Sequence, residues 1–359
     1  MKIGILNSGG DVQALNAVIA SCVKTGITKG YEFIGFYKGW EGILNPIMYI
    51  PLTLKEVRGI SHQGGTILHT VNKGRFAGKA GEGNTNKIPN EILMEAKNNL
   101  DKLGIEALIV IGGDGTMSGA LQLSEVGVKI VGVPKTIDND LGSTDKTFGF
   151  STAVDIVMEA LDRVHTTATS HDRVILVETM GRNAGWIALY SGIAGGADMI
   201  LIPEIEFNYN NIIEFLRKRK ETGYRSSVVV VAEGAKAIAE RVSVISDSDR
   251  PEVKIGGISA HLIHQIEQLA PGEFELRNVV LGHVQRGGSP NAEDRILAKE
   301  YGVAAIAAIE NKEFNIMVSL RGKQIITVPL KDVCDTLKTV NQDSIEFQTA
   351  LEIGTYFGD

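Results

Sequence analysis

Two short turns carry carboxylates in settings where phosphoryl chemistry could use them. Gly112-Gly113-Asp114-Gly115-Thr116 follows the apolar run EALIVI, and Lys135-Thr136-Ile137-Asp138-Asn139-Asp140 follows KIVGVP. In the first, glycines let a backbone approach a polyphosphate closely, and a helix starting after them would offer free N–H groups to the anion. Asp114 could hold Mg²⁺, which takes one or two carboxylates and fills its shell with substrate phosphates. In the second, one carboxylate can accept the proton of an attacking hydroxyl while the other helps position metal or substrate. The bland alternatives are a tight strand-to-helix turn and an Asx-rich turn. Alone, Asp-Asn-Asp fits the Asx turn better; beside a second acidic glycine loop it favours chemistry. No GxxxxGK[ST] run occurs, which excludes a P-loop NTPase.

A cationic set accompanies the carboxylates. Arg173, Arg182, Arg277 and Arg286 each lie at an end of an apolar run, and the guanidinium fork suits bidentate recognition of phosphate. One such arginine is usually a salt bridge; four in a chain of net charge −7 suggest an anionic substrate. His283 could bond a sugar hydroxyl or be a satisfied core histidine. Glu233, after SVVVVA, could accept from sugar hydroxyls or serve as a cap. Ser8-Gly9-Gly10-Asp11 is a further anion-site candidate, and Met180-Gly181 tightens a turn that aims Arg182. The Gly- and Lys-rich stretch 72–89, with Lys73 and Arg75, reads as a surface loop able to meet a ligand.

These clusters must be held by something, and the flanking sequence says what. Short β-branched runs (KIGILN, EALIVI, KIVGVP, RVILVE, SVVVVA, VVLGHV) precede the clusters, and helical periods follow most of them. Continuous apolar strands alternating with helices indicate parallel sheets covered on both faces. In open α/β sheets ligands sit beyond the carboxyl ends of the strands, where nearly every cluster falls. The chain of 359 residues is comfortable for two domains. The expected division is 1–149 with 285–335 for a phosphoryl-donor domain, and 150–284 with 336–359 for a sugar-phosphate domain. Each is expected to be a Rossmann-like three-layer αβα unit with a largely parallel sheet. The acidic charge argues against nucleic acid as partner. Two cysteines argue for a reducing compartment, hence a cytoplasmic location; no apolar run approaches a membrane span.

Taken together, SGGD (8–11) with LNAVI (15–19), GGT (64–66), GGDGT (112–116), PKTIDND (134–140), SHDRVILVETMGRNAG (170–185), AEG (232–234) and VLGHVQRGGSP (280–290) resemble the 6-phosphofructokinase family. GGDGT alone would not be specific, since NAD kinases and lipid kinases look like this too. The resemblance implies Mg²⁺-dependent transfer from ATP or pyrophosphate to fructose 6-phosphate in glycolysis. Tagatose 6-phosphate or sedoheptulose 7-phosphate are other acceptors it allows. It makes Asp138 the base toward the sugar hydroxyl and Asp114 the metal carboxylate, and it places Gly10 and Arg182 at the transferring group. Thr136, Asp140, Met180, Gly181, Glu233, His283 and Arg286 match substrate-pocket positions. Arg173 and Arg277 match arginines that reach the sugar phosphate of a neighbouring subunit, which implies a homo-oligomer, a tetramer or dimer. Lys73, Arg75, Gly113, Gly115 and Thr116 fall with Gly10 and Asp114 on the nucleotide side, and Trp40 falls where an aromatic can stack on adenine or simply pack.

Three departures from the family pattern bear on specificity. Gly115 leaves room for a nucleotide α-phosphate, where aspartate accompanies pyrophosphate as donor; Lys135 points the other way, toward pyrophosphate-using members. Gln13-Ala14 stand where a Pro-Gly pair is usual. Ala20, Leu54 and His165 replace arginines of the bacterial effector pocket, with Lys24 left at another position, so classical allostery is expected to be weak or absent.

Overall fold

A computed structural model describes residues 1–72, 74–76, 87–238, 257–334 and 336–359. They form two compact units, one of 1–137, 141–152 and 286–337, the other of 138–140, 153–285 and 338–359. The sequence reading kept 138–140 with the first; they group with the second.

In the first unit the strands are β1 (Lys2–Asn7), β2 (Glu32–Phe36), β3 (Tyr49–Leu52), β4 (Ala107–Gly112), β5 (Ile130–Thr136) and β6 (Phe148–Gly149). The chain returns to this unit later through two further strands. The second unit holds β7 (Arg173–Thr179), β8 (Met199–Leu201), β9 (Ser227–Ala232) and β10 (Glu275–Val280), and the returning pair is β11 (Ile316–Arg321) and β12 (Gln324–Pro329). The helices are α1 (Leu15–Ile27), α2 (Asn90–Lys102), α3 (Asp114–Glu125), α4 (Phe150–Ser170), α5 (Trp186–Ala194), α6 (Tyr209–Glu221), α7 (Ile258–Leu269), α8 (Ala292–Glu310), α9 (Leu330–Val333) and α10 (Ile345–Glu352).

The larger sheet runs β12-β11-β5-β4-β1-β2-β3, with β6 paired to β5. Its centre is parallel; among the described strands only β3 and β12, at the two edges, are antiparallel to their neighbours. β4 is buried at every residue, as a strand covered on both faces must be. Helix α1 is buried at ten positions around its circumference, the pattern of a helix enclosed by its own domain. Its Cys22 is wholly buried, which pushes the thiol up to about 12 and leaves it inert as a nucleophile. The core of this unit gathers Phe36, Trp40, Leu108, Val110, Met117 and Leu330. The four-stranded sheet of the second unit, β10-β7-β9-β8, is parallel throughout. Its core gathers Leu176, Leu201, Phe207, Val229 and Leu262. Among the described residues no helix is long and apolar enough to cross a membrane.

Candidate active site

Parallel neighbours in register must release their loops at one edge. In the first unit Asn7 pairs with Ile111 and Gly112 with Pro134, so the turns after β1, β4 and β5 leave the same end of the sheet. Helix α3 starts at Asp114 with Gly113 as N-cap, inside the glycine cluster rather than after it. Gly112 cannot be replaced: a Cβ there would lie 2.2 Å from the Thr116 side chain. Asp114 and Gly115 are exposed on the first turn of α3, whereas Thr116 turns inward. A single exposed carboxylate among glycines, at a helix N-terminus, fits a Mg²⁺ ion that takes most of its shell from phosphate and water. Among the described residues no group of three His, Cys, Asp or Glu side chains could hold a metal alone.

The turn after β1 is held by two cations. The Lys135 ammonium, 3% exposed at the end of β5, donates to the Gly10 carbonyl at 2.5 Å. Arg286 donates from Nη1 to the Asp11 carbonyl at 3.2 Å. A Cβ on Gly10 would lie 2.8 Å from that same nitrogen, so glycine lets the guanidinium lie against the backbone. Gln13, fully buried, donates from Nε2 to the Gly287 carbonyl at 2.7 Å, and Ala14 takes the left-handed conformation (φ 69°) as N-cap of α1. The Gln13-Ala14 departure thus preserves a tight turn, in a conformation that glycine adopts more readily. Thr136 closes β5, its carbonyl accepting from Thr147 Oγ1 at 2.7 Å.

Two nucleotide-side residues have partners within the protein. Trp40 is 5% exposed and stacks on Phe76 at 4.8 Å with 10° between planes. This is the packing role that the sequence also allowed for it. Trp40→Ala is expected to lower unfolding free energy by about 3–5 kcal/mol, while KM for ATP in the folded protein changes less than about threefold. A tenfold rise in KM with an unchanged melting temperature would reverse the assignment. Arg75 is held by carboxylates, 3.3 Å from Glu41 and 3.5 Å from Glu95. Lys73 lies outside the described residues.

In the second unit Glu178 pairs with Val280 and Thr179 with Ala232, so the turns after β7, β9 and β10 also share an edge. Gly181 sits at φ 126°, where a Cβ would meet the Ala184 carbonyl at 2.8 Å; only glycine makes this turn, and it leaves Arg182 exposed. The Gly181 carbonyl accepts from Gly234 N at 3.2 Å, and Glu233 N donates to Thr179 at 2.9 Å. Met180 N donates to Gln285 Oε1 at 3.2 Å, inside the 3₁₀ turn Gly282–Arg286 that presents His283 to solvent. Asp138 and Asp140 are half-buried around Asn139 at φ 50°, a conformation asparagine tolerates. Arg173 and Arg277 converge on Glu275, at 2.7 and 3.0 Å, which draws that carboxyl below its usual range, chiefly through the hydrogen bond from Arg173. They stand on β10 and its neighbour at the sheet edge, where Val279 and Val280 are also exposed.

Each unit therefore gathers its own set: Gly10, the 113–116 turn, Thr136 and Arg286 in the first, and Met180–Arg182, Glu233 and His283 in the second. Sequence reasoning treated Lys135 only as a mark of donor choice. Its contact with Gly10 was signalled only by a lysine at the end of an otherwise apolar strand. Glu275 and Gln285 carried no signal, since an exposed glutamate and a loop glutamine are ordinary.

A largely parallel sheet that sends glycine-rich turns from one end, one of them clamped by a lysine and an arginine, is the framework of an α/β protein suited to phosphate groups. The chain belongs to the phosphofructokinase family: the family model described as Phosphofructokinase matches residues 2–309. It is 47% identical over its whole length to the ATP-dependent 6-phosphofructokinase 2 of Clostridium perfringens, covering 98% of that protein. It is 45% identical to the pyrophosphate–fructose 6-phosphate 1-phosphotransferase of Streptomyces coelicolor, with 100% of both chains covered. Among solved structures it resembles phosphofructokinase from Saccharomyces cerevisiae, with a TM-score of 0.76 and 31% identity, covering 92% of this chain and 45% of that longer one. A pyrophosphate-dependent phosphofructokinase from Marinobacter aquaeolei shares the fold at a TM-score of 0.80 and 21% identity, over 96% of this chain and 87% of that one.

Proposed function

We propose that the protein is a cytoplasmic, ATP-dependent 6-phosphofructokinase. The observation that carries this is the clamp on the β1 turn, where Lys135 and Arg286 fasten the Gly10-Asp11 backbone. Such a turn presents fixed backbone and cationic groups to a transferring phosphoryl group. The C1 hydroxyl oxygen of fructose 6-phosphate forms a bond to the γ-phosphorus, and the bond from that phosphorus to the β–γ bridging oxygen breaks. The hydroxyl proton passes to Asp138, and ADP and fructose 1,6-bisphosphate leave. Asp114 is the residue to hold Mg²⁺, which when bound neutralises phosphate charge. Gly113, Gly115 and Thr116 border the polyphosphate, and Arg75 joins them on release from Glu41. Arg182 faces the charge that develops on the transferring group. Thr136, Asp140, Met180, Gly181, Glu233, His283 and Arg286 bind the sugar phosphate, and Arg173 and Arg277 reach the sugar phosphate of a second copy. Their place at an exposed strand edge beside apolar Val280 supports a homo-oligomer of two or four chains.

A pyrophosphate-dependent reading has its own support in Lys135 and in relatives such as the Streptomyces coelicolor phosphotransferase. A donor-by-acceptor activity matrix with Mg²⁺ separates the two: ATP with fructose 6-phosphate is expected to be the fastest pair. Activity with pyrophosphate alone would move the assignment, and no transfer from any donor would leave a non-catalytic sugar-phosphate sensor.

Regulation is expected to be simple. Leu54 is 53% exposed and Ala20 is buried, while His165 bonds the Gly195 carbonyl at 2.7 Å. None supplies the cation that an anionic effector needs. Saturation by fructose 6-phosphate should stay hyperbolic with phosphoenolpyruvate present; a steep sigmoid would refute this.

A further inference from the structure

The acidic turn Asp138–Asp140 lies in the middle of the chain, yet its backbone is fastened by a segment near the C-terminus. Lys338 N donates to the Asp140 carbonyl at 2.8 Å. The Lys338 carbonyl accepts from the Trp186 indole Nε1 at 2.8 Å. Two residues on, Val340 N donates to Glu204 Oε1 at 2.8 Å. The same carboxylate receives Gly185 N on both oxygens, at 3.0 and 3.1 Å. Gly185 is the N-cap of α5 and ends the turn that carries Arg182. A Cβ on Gly185 would lie 2.3 Å from Ile202 and 3.0 Å from Glu204 Oε2, so this approach is close on every side. Burial pushes the Glu204 carboxyl up, and the bonds from Val340 and Gly185 oppose that shift.

We infer that Glu204 and Trp186 are positioning residues: through the strap 338–340 they tie the turn of the general base, Asp138, to the turn of Arg182. This deepens the functional reading above and rests on it. Both turns must sit in a fixed relation for a proton acceptor and a charge-stabilising cation to serve one transition state, and a misplacement of about 1 Å can cost on the order of 10²-fold in rate. Neither Glu204 nor Trp186 needs to touch substrate for this.

Three variants test it. Glu204→Leu removes the acceptor for both amides, Glu204→Gln keeps one carbonyl oxygen, and Trp186→Phe keeps a ring but loses the indole N–H. Glu204→Leu and Trp186→Phe should lower kcat by about 10- to 100-fold, per active site titrated with fructose 6-phosphate, while KM for that sugar stays within about threefold. Glu204→Gln should recover most of the rate. A purely structural role would lower the folded fraction and the melting temperature without this split. A kcat unchanged in both Glu204→Leu and Trp186→Phe, or a loss borne by KM alone, overturns the inference. Amide hydrogen exchange gives a reading independent of turnover: the Lys338 and Val340 amides should exchange at least about tenfold faster in Glu204→Leu, and unchanged protection there also overturns it. A wild-type protein that transfers no phosphoryl group would strike the functional reading instead, while the exchange data would still decide whether the strap holds the turn.

Discussion

Asp138→Ala is expected to lower kcat with ATP and fructose 6-phosphate by roughly 10²–10⁴-fold, the range that a positioned general base contributes. The variant should fold, because backbone features that do not use the Asp138 side chain help to fix this turn. The Asp140 carbonyl accepts from Lys338 N, and Asn139 supplies the left-handed residue at φ 50°; neither depends on the Asp138 side chain. Sugar-phosphate binding should survive as well, since it is assigned to Arg173, Arg277, His283 and Arg286. Calorimetric titration should thus give a fructose 6-phosphate affinity within a few-fold of wild type while turnover collapses. The pairing of retained affinity with lost rate is the signature of an interaction made only in the transition state. A variant turning over within tenfold of wild type would remove Asp138 from the chemistry and leave the acidic turn as the Asx-rich connection that its composition also allows.

Much of the fold was legible because parallel sheets write themselves plainly. EALIVI, RVILVE and SVVVVA are uninterrupted apolar runs, and each is a strand buried at all or nearly all of its residues. The edge strands were not legible. YIPL is only four residues, QIITVP ends in proline, and both are largely unburied, so neither shows the buried apolar run that marks the central strands. They form because the sheet already offers an open edge. The site was readable as types and turns: glycine at 112 is demanded by a contact of 2.2 Å, and at 181 by a contact of 2.8 Å and a φ of 126°, which sequence can only suggest. The partners of those turns were hidden. Glu275 lies about a hundred residues from Arg173, and Lys338 about two hundred from Asp140; only the folded register brings each pair into bonding distance. Trp40 shows the converse case. An aromatic after a strand suits a stacking platform or a core equally, and its partner Phe76, which meets it face to face, could not be read from the sequence.

Gly115→Asp should lower kcat/KM for ATP by about two orders of magnitude while leaving the protein at least as stable as before. Position 115 is exposed, its φ is not in the left-handed region, and a Cβ there meets nothing within 4 Å. A side chain therefore enters open space rather than the core. It also falls in the first turn of α3, where a carboxylate faces the positive end of the helix and adds about 0.3–1 kcal/mol of stability. Any loss of ATP use then belongs to the ligand, not to the fold. A carboxylate about 5 Å from a phosphate charge, at an effective dielectric near 20, is repelled by about 3 kcal/mol, which is about 10²-fold. Pyrophosphate has no α-phosphate to meet that side chain, so its use should fall less and the ratio of the two donors should shift toward it. Lys135, already fastened to Gly10, is in place to serve either donor. Equal losses for ATP and pyrophosphate would mean that position 115 senses phosphate charge without distinguishing the donors. An unchanged ATP rate beside an unchanged melting temperature would mean that the polyphosphate does not pass over the first turn of α3 at all.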